Sequence, residues 1–420
     1  MILKGIPYLQ TILTLLLCGT AFTARAQADS AEPADSCYPE IICPDSNRLG
    51  GNVAALEPLF QKLEALEKKD TTAVISILQI GDSHIQAGFF PNEVRENLQR
   101  EFGNAGRGLI VPLKLAGTNE PPDYAITSPN SWNRSNCITR AATEEPGMSG
   151  MSIVTYDRHI KTKEPFDRIW AFHHREAPLL TVPDSLSDGI CCPALDNDEM
   201  TLIPLSRPVE QIRLCASVAD SSFAHSAFYG FSLENGRSGV LYHSFGINGN
   251  TYAAINRNPQ IVRQASGLCP DLVIVSLGTN DSYGASFDPA DADVQITRLI
   301  DSIRRNMPAS VLLLTTPMEH CRRIRSKGRT YRKPNPNACA MRECILRQAA
   351  LYRLPVWDFY AAAGGDGAMG RWADLGIANA DRVHLSREGY RLQGKLFYDA
   401  IMKAYDHYRK HNGELKILLN

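Results

Sequence analysis

The run Ala73-Val-Ile-Ser-Ile-Leu-Gln-Ile80 ends in Gly81-Asp82-Ser83-His84, and no other segment restricts the fold as much. A β-branched, nearly continuous apolar stretch of this length reads as a buried strand, of the kind found in parallel sheets covered by helices. The Gly-Asp-Ser turn that ends it holds a hydroxyl at the strand's C-terminal edge, where open α/β sheets bind their ligands. Alone, the tetrapeptide is also ordinary turn chemistry. Two later segments give it weight. Gly278-Thr279-Asn280-Asp281 follows another apolar run, and Asp381-Arg382-Val383-His384 lies near the C-terminus.

The alternation continues along the chain. Leu56, Leu59, Phe60, Leu63 and Leu66 recur at helical spacing before the first strand, and Val94, Leu98 and Phe102 do so after it. Strands are expected at Val240–Phe245, Leu272–Leu277, Val311–Thr315 and Pro355–Phe359. Helices are expected at Tyr252–Gln264, Asp291–Asn306, Met341–Tyr352 and Ser386–His411. Strands alternating with helices argue a parallel, doubly wound sheet. Residues 116–235 differ in texture, being rich in Pro, Ser, Asn and Asp with short alternating runs at 211–217 and 227–233. Those read as half-buried antiparallel strands. The expected organisation is a discontinuous α/β domain over 54–115 and 236–411, interrupted by a β-rich module at 116–235.

Residues 1–26 read as a secretory signal: Lys4, a short apolar stretch from Leu9 to Phe22, and Ala24-Arg25-Ala26 before Gln27. The apolar stretch is shorter than the roughly 20 residues a spanning helix needs. Leu17 before Cys18 is too large for a usual lipobox. Residues 27–53 are Ala-, Asp- and Pro-rich and read as a tether. These features predict an exported, periplasmic or envelope-associated protein without a stable membrane span, and a monomer. Net formal charge is −1. The basic stretch Arg322–Lys333 is local, which argues against nucleic acid as a partner. Ten of the eleven cysteines lie beyond the leader, and Cys37–Cys43 and Cys321–Cys339 are the expected disulfides. No His/Cys cluster has metal-ligand spacing, so neither metal nor cofactor is expected.

The three segments supply complementary chemistry. A serine hydroxyl attacks only when a general base takes its proton; Ser83 is the candidate nucleophile and His384 the candidate base. Asp381, three residues before His384, is placed to accept the other ring N–H. Donors for a developing oxyanion are the Ser83 N–H, the Gly249 N–H within Gly246-Ile-Asn-Gly-Asn-Thr251, and the Asn280 amide. Trp357 and Trp372 are candidates to line a sugar-sized cleft, with core packing as the alternative. His173-His174 reads as a surface pair, His243 as a packed histidine, and the role of His84 is left open.

In these blocks the chain resembles the SGNH (GDSL-type) hydrolase superfamily: Ser83 in the first, Gly249 in the second, Asn280 in the third, Asp381 and His384 in the last. The resemblance implies a flavodoxin-like three-layer α/β/α fold and esterase activity without a cofactor. His84 departs from the Leu of many members. The string Gly81–Asn92, with Gly106-Arg-Gly, Gly239–Gly249 and Trp357–Gly365, looks more like the peptidoglycan O-acetylesterase subgroup, which carries a β-sandwich inserted in the hydrolase domain. The leading expectation is removal of O-acetyl groups from carbohydrate, with peptidoglycan as the acetylated glycan partner. The alternatives are an acetylxylan or other glycan O-acetylesterase, an O-acetyltransferase, and a non-catalytic glycan-binding protein on a hydrolase scaffold.

Overall fold

The computed structural model describes residues 40–69, 72–129, 133–138, 146–154, 157–175, 177, 180–187, 192–194, 197–216 and 227–418. The expected leader, residues 27–39 of the expected tether, Cys18 and Cys37 lie outside them; the rest of that tether is folded, with Leu49–Gly51 paired to Pro355–Trp357 in the sheet. The described chain opens with β1 (Leu49–Gly51), α1 (Glu57–Glu67), β2 (Val74–Gly81), the one-turn helix α2 (Ser83–Gln86) and α3 (Phe89–Phe102). An antiparallel block follows: β3 (Gly108–Ile110), β4 (Tyr124–Thr127), β5 (Asn133–Asn136), β6 (Met151–Val154), β7 (Asp157–His173), β8 (Leu180–Thr181), β9 (Cys192–Ala194), β10 (Asn197–Ala216) and β11 (Ala227–Glu234). The βα alternation then resumes with β12 (Gly239–Gly246), α4 (Tyr252–Asn256), α5 (Gln260–Ala265), β13 (Leu272–Ser276), α6 (Thr279–Tyr283), α7 (Pro289–Asn306) and β14 (Val311–Thr315). Last come the hairpin β15 (Cys321–Ser326) and β16 (Arg329–Pro334), α8 (Pro336–Leu351), β17 (Pro355–Trp357), α9 (Phe359–Ala362), α10 (Ala368–Asp374) and α11 (Arg387–Leu418). The expected Tyr252–Gln264 helix is two helices, because Pro259 lacks the N–H that continuity would require.

Six strands form one sheet in the order β1-β17-β14-β13-β2-β12. All pairs are parallel except β1 with β17. Counting only the parallel strands in chain order, the arrangement is 2-1-3-4-5, the flavodoxin-like order. Alternate side chains feed two apolar layers. Ile75, Ile77, Tyr242, Leu272 and Ile274 pack with Phe60, Leu63, Val94, Leu98, Phe397 and Tyr405 of α1, α3 and α11. Leu78, Ile80, Val273 and Val275 pack on the opposite face with Ile255, Val262, Ile296, Ile300 and Ile345. This is the three-layer α/β/α fold expected. Burial on both faces explains why these strands read as unbroken apolar runs.

The nine-stranded antiparallel sheet runs β5-β6-β11-β7-β10-β8, with β3 on β11, β4 on β7 and β9 on β10. Its core includes Ile126, Ile160, Ile169, Ile203, Leu214, Phe231 and Leu233. Because β3 pairs with β11, hydrogen bonding starts this region at Gly108 rather than at residue 116. Buried ion pairs join the blocks: Arg95 of α3 and Arg107 reach Asp123 at 3.1 and 2.9 Å. Cys43, Cys321 and Cys339 are free thiols, which corrects the expected Cys321–Cys339 disulfide. The hairpin partner of Cys321 is Pro334, and Cys339 already belongs to the helix that follows.

Candidate active site

The topological switch point of the sheet lies between β2 and β13, where chain connections leave in opposite directions and open a crevice at the C-terminal edge. Gly81 and Gly246 are register partners at that edge. A Cβ at Gly81 would lie 2.1 Å from Ile85 Cγ1, and one at Gly246 only 2.3 Å from the Asp82 carbonyl oxygen. Glycine at both places lets α2 sit directly on the strand ends. Asp82 caps the turn, its Oδ1 accepting the His84 N–H at 3.0 Å. Ser83 opens α2, where the first N–H groups have no intrahelical partner, and its Oγ lies 2.9 Å from His384 Nε2.

The Asp381–His384 loop is built differently. Asp381 Oδ1 accepts the N–H groups of Val383 and His384, both at 3.0 Å, while Oδ2 stands 2.6 Å from His384 Nδ1. One carboxylate thus shapes the backbone and orients the ring. Arg382 bends the chain through the left-handed region at φ +53°. The hairpin braces this bend: the Cys321 N–H donates to the Arg382 carbonyl at 2.8 Å and Arg332 Nη1 to the Asp381 carbonyl at 2.7 Å. Burial pushes the Asp381 carboxyl up, but the hydrogen bonds from His384 and the two backbone N–H groups outweigh it and hold it below the usual range. An ionised Asp381 takes the Nδ1 proton as partner and leaves Nε2 to accept from Ser83.

Asn280 begins α6 beyond the end of β13, and its Nδ2 donates to the Asn250 carbonyl at 3.0 Å and approaches Asp82 Oδ2 at 3.3 Å. Gly249 sits at φ +82° with open space where a Cβ would be, so its conformation rather than packing calls for glycine. Ser83, Gly249, Asn280 and His384 line one open cleft of about 640 Å³ with Phe89, Asn119, Asn248, Asn379, Arg387 and Tyr390. Beneath it lie two carboxyls that burial raises to about 7, Asp82 and Asp281. Asp281 Oδ1 accepts the Tyr252 N–H at 3.0 Å, tying the Gly249 turn to α6. No cluster able to hold a metal occurs among the described residues.

His84, left open by the sequence, is half-buried against the site. Its ring stacks on that of His384 at 5.3 Å between centroids, and Nδ1 meets the Tyr390 hydroxyl at 3.0 Å. Burial first, and then the neighbouring His384, lower it to about 3. Trp357 and Trp372 are fully buried and are corrected from cleft to core. Trp357 donates to Asn47 Oδ1 and Trp372 to the Ala363 carbonyl, so each indole N–H is satisfied inside. His173 is buried with Nε2 2.8 Å from Thr201 Oγ1, not half of a surface pair. His243 is packed as expected, its Nδ1 accepting the Leu109 N–H at 3.1 Å. Sequence reasoning missed Asn119 and Gln86. Gln86 Nε2 donates to Asn119 Oδ1 at 2.7 Å and Gln86 Oε1 accepts the Asn248 N–H at 2.7 Å. Gln86 stands in the quoted Gly81–Asn92 string, but Asn119 lies in an irregular segment with no periodic signal.

Residues 220–392 match the model of the GDSL-like Lipase/Acylhydrolase family. That stretch carries Gly249, Asn280, Asp381 and His384; Ser83 lies before it, on the far side of the antiparallel block. By the matched stretch and the fold, the chain is similar to the GDSL-like hydrolases, a family of lipases and acylhydrolases. In particular, the chain is similar to a solved peptidoglycan O-acetylesterase structure at TM-score 0.70 and 21% identity, covering 86% of this chain and 99% of that one. A lipase/acylhydrolase from Enterococcus faecalis aligns over 39% of this chain and 76% of its own, at 23% identity and TM-score 0.30. An acetyl xylan esterase aligns over 39% of this chain and 81% of its own, at 19% identity and TM-score 0.32. No curated protein matches the chain.

Proposed function

We propose that this protein is an exported serine esterase that removes O-acetyl groups from a glycan, with peptidoglycan as the substrate polymer. The observation that carries the reading is the unbroken chain Ser83 Oγ–His384 Nε2 at 2.9 Å and His384 Nδ1–Asp381 Oδ2 at 2.6 Å, opening into a cleft wide enough for a sugar. Ser83 Oγ attacks the ester carbonyl carbon while its proton passes to His384 Nε2. The carbonyl oxygen becomes an oxyanion facing the N–H groups of Ser83 and Gly249 and the Asn280 amide. Collapse of this intermediate breaks the bond to the sugar oxygen, which takes the proton from His384 and leaves acetyl-Ser83. Water, deprotonated by His384, then attacks the acyl carbon, and the bond to Ser83 Oγ breaks as that oxygen takes the proton back from His384 and acetate leaves. His84 remains neutral through this cycle, so no second cation opposes the imidazolium form of His384.

The choice of peptidoglycan is supported by the likeness over both the α/β core and the antiparallel block, since the alignment spans 86% of the chain. We infer that the block starting at Gly108 is an insertion into the hydrolase domain that walls the cleft through Asn119. Acetate release from O-acetylated peptidoglycan, compared with acetylated xylan at equal ester content, tests the substrate. Faster release from peptidoglycan is expected. Equal or faster release from xylan would overturn the cell-wall reading. Inertness toward both and toward p-nitrophenyl acetate would overturn the esterase itself.

A further inference from the structure

Residues 321–334 carry seven Lys and Arg side chains and no Asp or Glu, in a chain whose net charge is −1. They form a separate two-stranded sheet, and every residue of β16 is exposed. The register sets Arg322 opposite Lys333 and Arg323 opposite Arg332. Side chains alternate faces along a strand, so each face of the hairpin bears two like charges directly opposed, an arrangement that costs stability. Arg322, Arg325, Arg329 and Lys333 form no ion pair among the described residues. The one apolar cross-strand pair, Ile324 with Tyr331, leaves Tyr331 45% exposed. The hairpin is nonetheless fixed at its root to the loop of Asp381 and His384, through Cys321 and Arg332. Arg387, exposed at the rim, lines the cleft itself.

We propose that this hairpin docks the carboxylates of an anionic glycan chain whose ester lies in the neighbouring cleft; the proposal rests on the glycan-esterase reading and names the charge class of its polymer. One face carries Arg322, Lys333 and Arg329, the last two about 13 Å apart along their strand; the other carries Arg323, Arg325 and Arg332, the first two about 7 Å apart. The strands lie about 5 Å from each other, so both faces offer charges spread along a polymer rather than a site for a single anion. Five of the seven cations are arginines, whose planar forks pair with carboxylates two bonds at a time. With Tyr331 as the single aromatic side chain on the hairpin, the surface offers little for base stacking.

Binding of the full chain to polygalacturonate and to de-O-acetylated peptidoglycan, with neutral dextran as control, tests this without relying on turnover. Wild type is expected to bind both carboxylate polymers and to lose most of that binding between low and high salt. The quadruple variant Arg322→Gln/Arg325→Gln/Arg329→Gln/Lys333→Gln should bind about tenfold or more weakly, with p-nitrophenyl acetate turnover unchanged. Binding that is insensitive to salt in wild type, or equal on dextran, would overturn the proposal whether or not the variant folds. Unchanged binding by the folded variant would overturn it too, as would tighter retention on anionic phosphatidylglycerol vesicles than on either polymer. Salt-dependent polymer binding without acetate release from any glycan would overturn the glycan-deacetylation reading and reduce the hairpin to an anion-docking surface unconnected to the ester.

Discussion

The two halves of the candidate site are held by opposite means. The Ser83 turn is pressed onto the sheet: Gly81 and Gly246 admit it without side chains, Ile85 packs beneath it, and Asp82 is buried as its cap. The Asp381–His384 loop is half-exposed and rests on hydrogen bonds, two from its own backbone to Asp381 and two more from the hairpin. A nucleophile set by packing has one position, because a close-packed interior has no near alternative. A base set by exposed hydrogen bonds is held more weakly, each bond being worth on the order of 1 kcal/mol net. Perturbing the packing beneath Ser83 should therefore cost folding as well as rate, and perturbing the hydrogen bonds of the second half should cost rate alone.

The largest effect is expected at Ser83. Ser83→Ala should lower turnover of p-nitrophenyl acetate on the order of 10⁴-fold or more with an unchanged melting temperature, since only a hydroxyl is lost. Near-wild-type turnover in a folded variant would remove Ser83 from the chemistry. Next comes Asn280→Ala, where loss of one oxyanion donor should reduce kcat about a hundredfold or more and leave KM nearly unchanged. A raised KM with unchanged kcat would make Asn280 a ground-state binding group. Gly81→Ala tests the packed half directly. Its new methyl meets Ile85 Cγ1 at 2.1 Å and the Ser276 carbonyl oxygen at 3.0 Å, and overpacking of this kind costs about 1–3 kcal/mol. Both melting temperature and kcat should fall; a stable variant with full activity would mean that the turn is not held by packing.

Asp281→Asn probes the same half through pH. Burial raises the folded carboxyl to about 7, against 3.8 for an ordinary aspartate. Between those values the folded protein holds a proton that the unfolded chain does not. Asp281 therefore adds stability as pH falls from about 7 toward 4 and costs stability above 7. Asparagine, neutral throughout, removes this term. Relative to wild type, the variant should gain stability at pH 8 and lose that advantage by up to about 1.4 kcal/mol per pH unit on acidification. Urea midpoints at pH 8 and pH 5 measure the difference between the two proteins; parallel shifts at both would show that Asp281 is ionised in the fold at both.

What the sequence made legible follows the same division. Strands buried on both faces announce themselves as apolar runs, so β2, β12, β13 and β14 and the parallel sheet could be read directly. Ser83 and Asn280 could be read because each stands where an apolar run stops, and Asp381 with His384 because of their three-residue spacing. Trp357 and Trp372 were misplaced because an aromatic residue serves a cleft or a core equally well, and only the tertiary contacts to Asn47 and Ala363 decide. Asn119 and the His84–His384 stack depend on segments distant in the chain meeting at one edge, which no local pattern encodes. The pairing of Cys321 failed for the same reason: spacing suggested proximity, but the register of a hairpin consumed it.

The smallest expected effect separates the two halves most cleanly. Arg332 donates to the Asp381 carbonyl oxygen at 2.7 Å from an exposed strand. It does not line the cleft, and it acts on the base by steadying the carbonyl beside the Asp381 side chain. Arg332→Gln shortens the donor and removes its charge. A single exposed hydrogen bond is worth about 1 kcal/mol, which caps the loss in kcat at roughly fivefold, with KM for p-nitrophenyl acetate and the melting temperature unchanged. If Arg332 steadies the loop, Arg332→Lys, which keeps a cation but loses the planar fork, should recover only part of the lost rate. Full recovery by lysine would mean that charge near Asp381 is what matters, and a fall in melting temperature matching that of Gly81→Ala would show the base to be held as firmly as the nucleophile.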